Sequence, residues 1–299
     1  MVMMEWKWLW FIRMAVMLLV LEVCRWCTID ACLEHERIAL LHLKPFFNCG
    51  NPLKSWVDLK GSDCCKWERV KCNTTTRRVI QLSLNSTKWE YNVDYWYLNA
   101  WYLNASMFLP FEELKSLYLS GNAIGGNLEN EGFGKLSSTL SNLEILDLSE
   151  NYLNDSILLS LSKLSSLLYL DLSYNQFEGS SHPRGFQLLS RLNNLETLDL
   201  SWNSLKNSIL FHMRNLSSLK TLRLSGNQLK GRLVHIQDGT QLRLTNLEEL
   251  DLSNNLFRNN TISFLGRLSS LKSLTLSGNH LQGSLDIKGT KTIYNFFSL

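Results

Sequence analysis

Four prolines in 299 residues leave little to interrupt the chain, and no Gly/Ser-rich linker or low-complexity tract divides it. Charge of one sign is equally scarce. Thirty Lys and Arg against 27 Asp and Glu give a formal net charge of +3, and no long basic run offers a footprint for nucleic acid. H-E-x-x-H, G-x-S-x-G and P-loop motifs are all missing. The histidines, His35, His42, His182, His212, His235 and His280, are scattered without metal-ligand spacing. These absences argue against an enzyme, a cofactor and a metal centre. What remains is 45% hydrophobic and 19% charged residues, enough apolar material for a folded core.

Long apolar runs are also wanting. Lys7 and Arg13 precede a stretch from Met14 to Leu21 that meets Glu22. It has the length of a signal-peptide core and falls short of the roughly 20 residues that span a bilayer. Residues 1–30 are therefore read as a signal peptide, with an uncleaved anchor as the alternative because Trp8 to Ile12 lengthen the apolar region. Six N-x-S/T sequons, at Asn73, Asn85, Asn104, Asn154, Asn215 and Asn259, fit an exported, glycosylated surface. The expected location is extracellular.

What is present in abundance is self-similarity. From Phe111 onward the chain reads LKSLYLSGNAI, LEILDLSENYL, LLYLDLSYNQF, LETLDLSWNSL, LKTLRLSGNQL, LEELDLSNNLF and LKSLTLSGNHL. Each block matches L-x-x-L-x-L-x-x-N-x-L, the leucine-rich-repeat signature. Leucines at its fourth and sixth positions alternate with polar residues, the period of a half-buried strand. Such strands stack in parallel, with leucines inside and the residues between them on a concave face. Asn122, Asn151, Asn175, Asn203, Asn227, Asn255 and Asn279 fall where the chain turns inward, where their amides can satisfy backbone groups that the turn leaves unpaired.

The marker leucines Leu117, Leu146, Leu170, Leu198, Leu222, Leu250 and Leu274 lie 29, 24, 28, 24, 28 and 24 residues apart. Short and long repeats alternate, so the duplicated unit is a pair. An earlier, degenerate repeat starts at VIQLSL, with Leu82 and Leu84 inside; WYLNA occurs twice in tandem before the next strand, from Trp96 and from Trp101. The aromatics there, Trp89, Tyr91, Tyr95, Trp96, Tyr97, Trp101 and Tyr102, either pack over the solenoid's flank or form an exposed patch. In long repeats the next strand's first leucine follows the marker by 25 residues, as at Leu195 and Leu247, and 25 beyond Leu274 is Leu299, so residues 286–299 read as an incomplete repeat without a C-terminal cap. The chain is then the N-terminal part of a longer protein, or a truncated product.

A solenoid's first repeat needs a cap. Glu34 to Lys44, EHERIALLHLK, is expected to form an amphipathic helix with Ile38, Leu40 and Leu41 facing inward; Trp56 and then CCKWERVKC, from Cys64 to Cys72, follow it. Four cysteines, Cys32, Cys64, Cys65 and Cys72, allow three pairings, and Cys49 has no obvious partner. The order C-x₄-R-x-A-L-L-x-x-K, S-W, C-C-x-W-x-x-V-x-C resembles the N-terminal cap of plant leucine-rich-repeat receptor-like proteins and polygalacturonase-inhibiting proteins. The resemblance, over residues 32–285, implies the pairs Cys32–Cys64 and Cys65–Cys72. Departures exist too: the Ile-Pro that usually follows the asparagine turn and builds a second sheet is missing.

The expected fold is thus an α/β solenoid, a leucine-rich-repeat right-handed superhelix with a concave parallel β-sheet and an N-terminal disulfide cap. Its expected divisions are a cap over 31–78 and about eight repeats over 79–285. Function is expected to be recognition of a peptide, protein or microbial ligand, with a possible co-receptor, in defence or developmental signalling. The resemblance implies the apoplast, or the plasma membrane if the chain is part of a full-length receptor-like protein, with any membrane attachment through a span beyond this sequence or an uncleaved signal segment. Ligand-face candidates are Tyr118, Glu150, Tyr169, Tyr174, Trp202, Arg223 and Asn254. The carboxylates Asp147, Asp171, Asp199 and Asp251 stack along the same face and are read as a solvated ladder relieved by Arg223. The alternatives are a secreted inhibitor of a cell-wall-degrading hydrolase and a non-signalling fragment.

Overall fold

The computed structural model describes residues 13–14, 31–87, 100–125, 140–179, 185–206, 209, 213, 216–230, 244–258, 265 and 268–282. Among these, the strands form one nine-stranded sheet in strict chain order. The strands are β1 (Val70–Cys72), β2 (Val79–Ser83), β3 (Ser116–Tyr118), β4 (Ile145–Asp147), β5 (Tyr169–Asp171), β6 (Thr197–Asp199), β7 (Thr221–Arg223), β8 (Glu249–Asp251) and β9 (Ser273–Thr275). From β2 to β9 every pairing is parallel, and the marker leucines stand opposite one another from Leu82 to Leu274. In β3 to β7 the central leucine is buried between two half-buried neighbours, as alternation of side chains across a strand requires. Short helical turns form part of the return path, among them α2 (Leu158–Leu161) and α3 (Gly185–Leu188). The leucines of all turns make one continuous apolar core.

The asparagine column explains how each turn is held. Asn151 donates through Nδ2 to the carbonyls of Leu148 (3.0 Å) and Ser149 (2.8 Å) in its own turn and of Leu119 (3.1 Å) in the turn before. Its Oδ1 accepts from the backbone N–H groups of Asn122 and Ile124. The same donor pattern recurs at Asn175, Asn203, Asn227, Asn255 and Asn279. Buried carbonyls that a tight turn would strand are thereby paired. In the degenerate first repeat Thr87 takes this position: its hydroxyl donates to Leu84 and its N–H donates to Asn122 Oδ1.

The cap closes the sheet's first edge. β1 runs antiparallel to β2 and so covers the N–H and C=O groups that an edge strand would leave open. Disulfides join Cys32 to Cys64 and Cys65 to Cys72, while the half-buried Cys49 takes part in neither bridge. α1 (Glu34–Leu43) buries Glu36, Arg37, Ala39, Leu40 and Leu43. Ile38 does not face inward: it is 42% exposed, and Leu41 is only partly buried. The inward stripe is 36, 39, 40 and 43, the three-and-four spacing of one helix face, and it places Ile38 on the opposite side. Arg37 forks to both oxygens of Glu34 (2.8 Å each) and to Asp58 (3.1 Å), tying the following loop to the helix. Trp56, fully buried, stacks on Trp67 at 5.9 Å and donates to the Glu68 carbonyl.

Trp101 settles one of the aromatic alternatives for itself: it packs against Phe46 and Phe47 and donates through Nε1 to the Asn122 carbonyl, bridging the cap to the repeats. Tyr102 beside it is exposed. Trp89, Tyr91, Tyr95, Trp96 and Tyr97 lie outside the described residues, as do residues 286–299. Of a second sheet, the described residues hold two isolated parallel bridges, Trp101 with Ile124 and Gly125 with Tyr152.

Candidate functional site

After each strand the chain must reverse toward the interior, and the residue just before the asparagine position does this in the left-handed backbone region. Gly121, Gly226 and Gly278 occupy it with φ between 64° and 67°, as glycine readily can. Ser86, Glu150, Tyr174, Trp202 and Asn254 occupy the same position with side chains, at φ between 51° and 54°. For bulky residues such as Tyr and Trp this conformation costs roughly 1–2 kcal/mol. From Ser86 to Asn254 the N–H of each left-handed residue meanwhile donates to the serine carbonyl of the following turn, as from Tyr174 to Ser201 and from Trp202 to Ser225. The parallel ladder thus continues past the strand and holds the conformation in place.

These side chains lean from one turn over the next. A Cβ placed on Gly226 would meet the Trp202 ring at 2.5 Å, one on Gly278 would meet Asn254 at 2.3 Å, and one on Gly121 would meet Ser86 at 2.8 Å. The column therefore runs in pairs of side chain and glycine, matching the paired repeats: Ser86 with Gly121, Trp202 with Gly226, Asn254 with Gly278. Glu150 with Tyr174 is the exception. Tyr174 stands where the other pairs carry glycine, and its ring stacks on Trp202 with centroids 5.6 Å apart and planes 14° from parallel. Both remain accessible, at 51% and 47%. The face so gains one aromatic stack, anchored on Gly226 at one end and open at Tyr174 on the other.

Beside the stack lies the acidic ladder. Asp147, Asp171 and Asp199 stand opposite one another in register, followed by Arg223 and Asp251. Each aspartate turns Oδ1 to the N–H two residues on, Ser149, Ser173, Ser201 or Ser253, which caps the turn after the strand. Tyr169 donates to Asp171 Oδ2 at 3.2 Å, and Arg223 approaches Asp199 at 3.8 Å. Burial against the sheet pushes the Asp147 and Asp199 carboxyls up from the usual range, with the Asp171 charge adding to it. Burial, then the neighbouring carboxylates, likewise raise the Tyr169 hydroxyl. Among the described residues no group of His, Cys, Asp and Glu is arranged to hold a metal ion.

The ligand-face candidates are therefore not one cluster. Tyr169, Tyr174, Trp202 and Arg223 sit on consecutive turns. Tyr118 lies toward the cap on β3, Glu150 is the exposed residue one turn before Tyr174, and Asn254 leans over Gly278 nearer β9. The left-handed strain was the feature that motif reading passed over, although glycine recurring at one position of the repeat was its visible trace. Of the sequons, Asn104 is exposed, and Asn73, Asn85 and Asn154 are half-buried; Asn104 and Asn154 cap the turns that follow them. Asn215 and Asn259 lie outside the described residues.

Comparison with known proteins agrees with this geometry. The pattern described as "Leucine rich repeat N-terminal domain" matches residues 33–73, and "Leucine Rich Repeat" matches 142–164, 166–189, 194–216 and 246–268. Receptor-like protein 13 of Arabidopsis thaliana is 36% identical over 279 residues, covering 89% of this chain. Receptor-like protein 9b of the same plant is 42% identical over 151 residues, 50% of this chain. The chain spans only 23% and 15% of the length of these two relatives. Among solved structures, a plant ice-binding protein superposes with a TM-score of 0.52 at 25% identity, over 84% of this chain and 80% of its own.

Proposed function

The chain belongs to the leucine-rich-repeat family, in its plant receptor-like branch, and from that premise we propose that its concave face binds an extracellular peptide or protein ligand. The observation that carries this reading is the Tyr174–Trp202 stack, two large aromatic side chains kept half-exposed in a strained backbone conformation. Strain at an accessible aromatic pair is the mark of a position kept for contact rather than for folding. Tyr118, Glu150, Tyr169, Arg223 and Asn254 extend the same surface, and the carboxylates Asp147, Asp171 and Asp199 favour a ligand with basic side chains along it. Within a longer receptor the segment would supply recognition outside the cell, in defence or development, with a co-receptor completing the signal.

Trp202→Gly tests this reading. It removes left-handed strain of about 1–2 kcal/mol and loses a stack of about 0.5–1.5 kcal/mol, so stability should stay within about 1 kcal/mol of wild type. A displayed peptide library selected on the secreted wild-type chain should yield binders that Trp202→Gly holds at least about 30-fold more weakly, the loss expected of an aromatic anchor. Binders that hold both proteins equally would sink the reading.

A further inference from the structure

At the seat of the cap on the first repeat lies an acid with nowhere to place its charge. Glu36, on α1, is fully buried. Its Oε2 accepts the N–H of Val79, the first residue of β2, at 2.9 Å. Its Oε1 is enclosed and has no hydrogen-bond partner. The charged groups that face it are Arg78, Glu112 and Glu113. Arg78 gives its guanidinium to Glu112 at 2.6 Å and lies 3.6 Å from Glu113. Arg37, beside Glu36 on the same helix, is committed to Glu34 and Asp58. An ionised carboxylate here would be desolvated, repelled by two neighbouring carboxylates and hydrogen-bonded through one oxygen only. A neutral carboxyl keeps the bond from Val79 and pays far less for burial.

We propose that Glu36 is a proton-dependent lock between the cap and the repeats: protonated, it seats α1 on β2, and ionised, it loosens that seat. Burial raises its carboxyl from the ordinary 4.5 to about 7, with Glu113 and Glu112 adding to the shift and the Val79 bond and Arg78 opposing it. An acid held more tightly protonated in the folded state gives stability that is complete below 4.5 and is lost as pH rises through 7. Between pH 5.5 and 8.5 the closed cap should weaken about 30-fold relative to its open state. The lock is independent of what the concave face binds.

Hydrogen exchange of the intact, disulfide-bonded chain, corrected for intrinsic rates, would measure this. Protection of residues 34–43 should fall about 30-fold from pH 5.5 to 8.5, levelling off above about 7, while residues 195–224 change little. In Glu36→Gln the fall should vanish. If Glu36→Gln does not fold, Glu112→Gln serves instead: removing a repelling charge at an exposed position should move the levelling-off to lower pH. The proposal is overturned if both segments lose protection in parallel, if Glu36→Gln keeps the wild-type profile, or if Glu112→Gln leaves the levelling-off in place.

Discussion

The cap and the repeats both bury polar groups, and they do so by opposite means. In the repeats one residue type solves the problem: each asparagine amide pairs carbonyls of its own turn and of the turn before, so every solution depends on a neighbour. In the cap nothing recurs. Two disulfides, the Arg37 fork, the Asp63 carboxylate that accepts from Cys32 and Cys65, and Glu36 each appear once. A stack of identical units can satisfy any interior turn, yet has no means of its own to finish the first one. Periodic chemistry makes the solenoid extensible, and singular chemistry makes its end stable.

That contrast can be broken most forcefully at the Cys32–Cys64 bridge, which spans 32 residues. Replacing both cysteines by serine should cost about 3–4 kcal/mol on loop-closure grounds. The loss should show as early denaturant unfolding confined to residues 34–87, read by hydrogen exchange; equal loss throughout the repeats would mean that the two regions fold as one. Next comes Asn203→Ala, which strands the carbonyls of Leu172 and Leu200 and the N–H of Phe177. About 2–3 kcal/mol is expected, from buried groups left without partners, with loosening that spreads to the turns on both sides. A loss confined to one turn would contradict the neighbour rule. The smallest effect belongs to the outer edge, where Lys220 meets Glu196 at 2.8 Å with both side chains about half exposed. Lys220→Ala should change the urea midpoint by less than about 1 kcal/mol equivalent, sharpening the point that interior amides, not surface ion pairs, hold the stack.

Much of the repeat was legible because its code is redundant. Leucine spacing gave the strands and their register, and the asparagines announced their own structural role, which the hydrogen bonds now specify atom by atom. The cap was legible only through resemblance, since four cysteines permit several pairings. Ile38 misled because a ten-residue helix with apolar residues on more than one side has no single face readable by composition, and its inward stripe includes a glutamate. A buried, unpaired carboxylate runs against the usual placement of glutamate, so no reading of residue types would have chosen Glu36 as core. At the concave face the candidates were visible as aromatics in variable positions. Which of them meet depended on the left-handed turn, a backbone property that one glycine in several repeats only hints at.

The alternation of side chain and glycine down the left-handed column has a consequence for how such a surface can change. Each pair of turns offers one blank slot whose occupant touches neither the leucine core nor the asparagine amides. Writing into that slot costs left-handed strain of about 1–2 kcal/mol, and it is not free of grammar. At Gly226 a new side chain would collide with the Trp202 ring, so the preceding turn must swing aside or shrink first. Tyr174 shows the slot already written once. The concave surface can therefore be revised two turns at a time, in coupled substitutions, while the scaffold beneath stays the same.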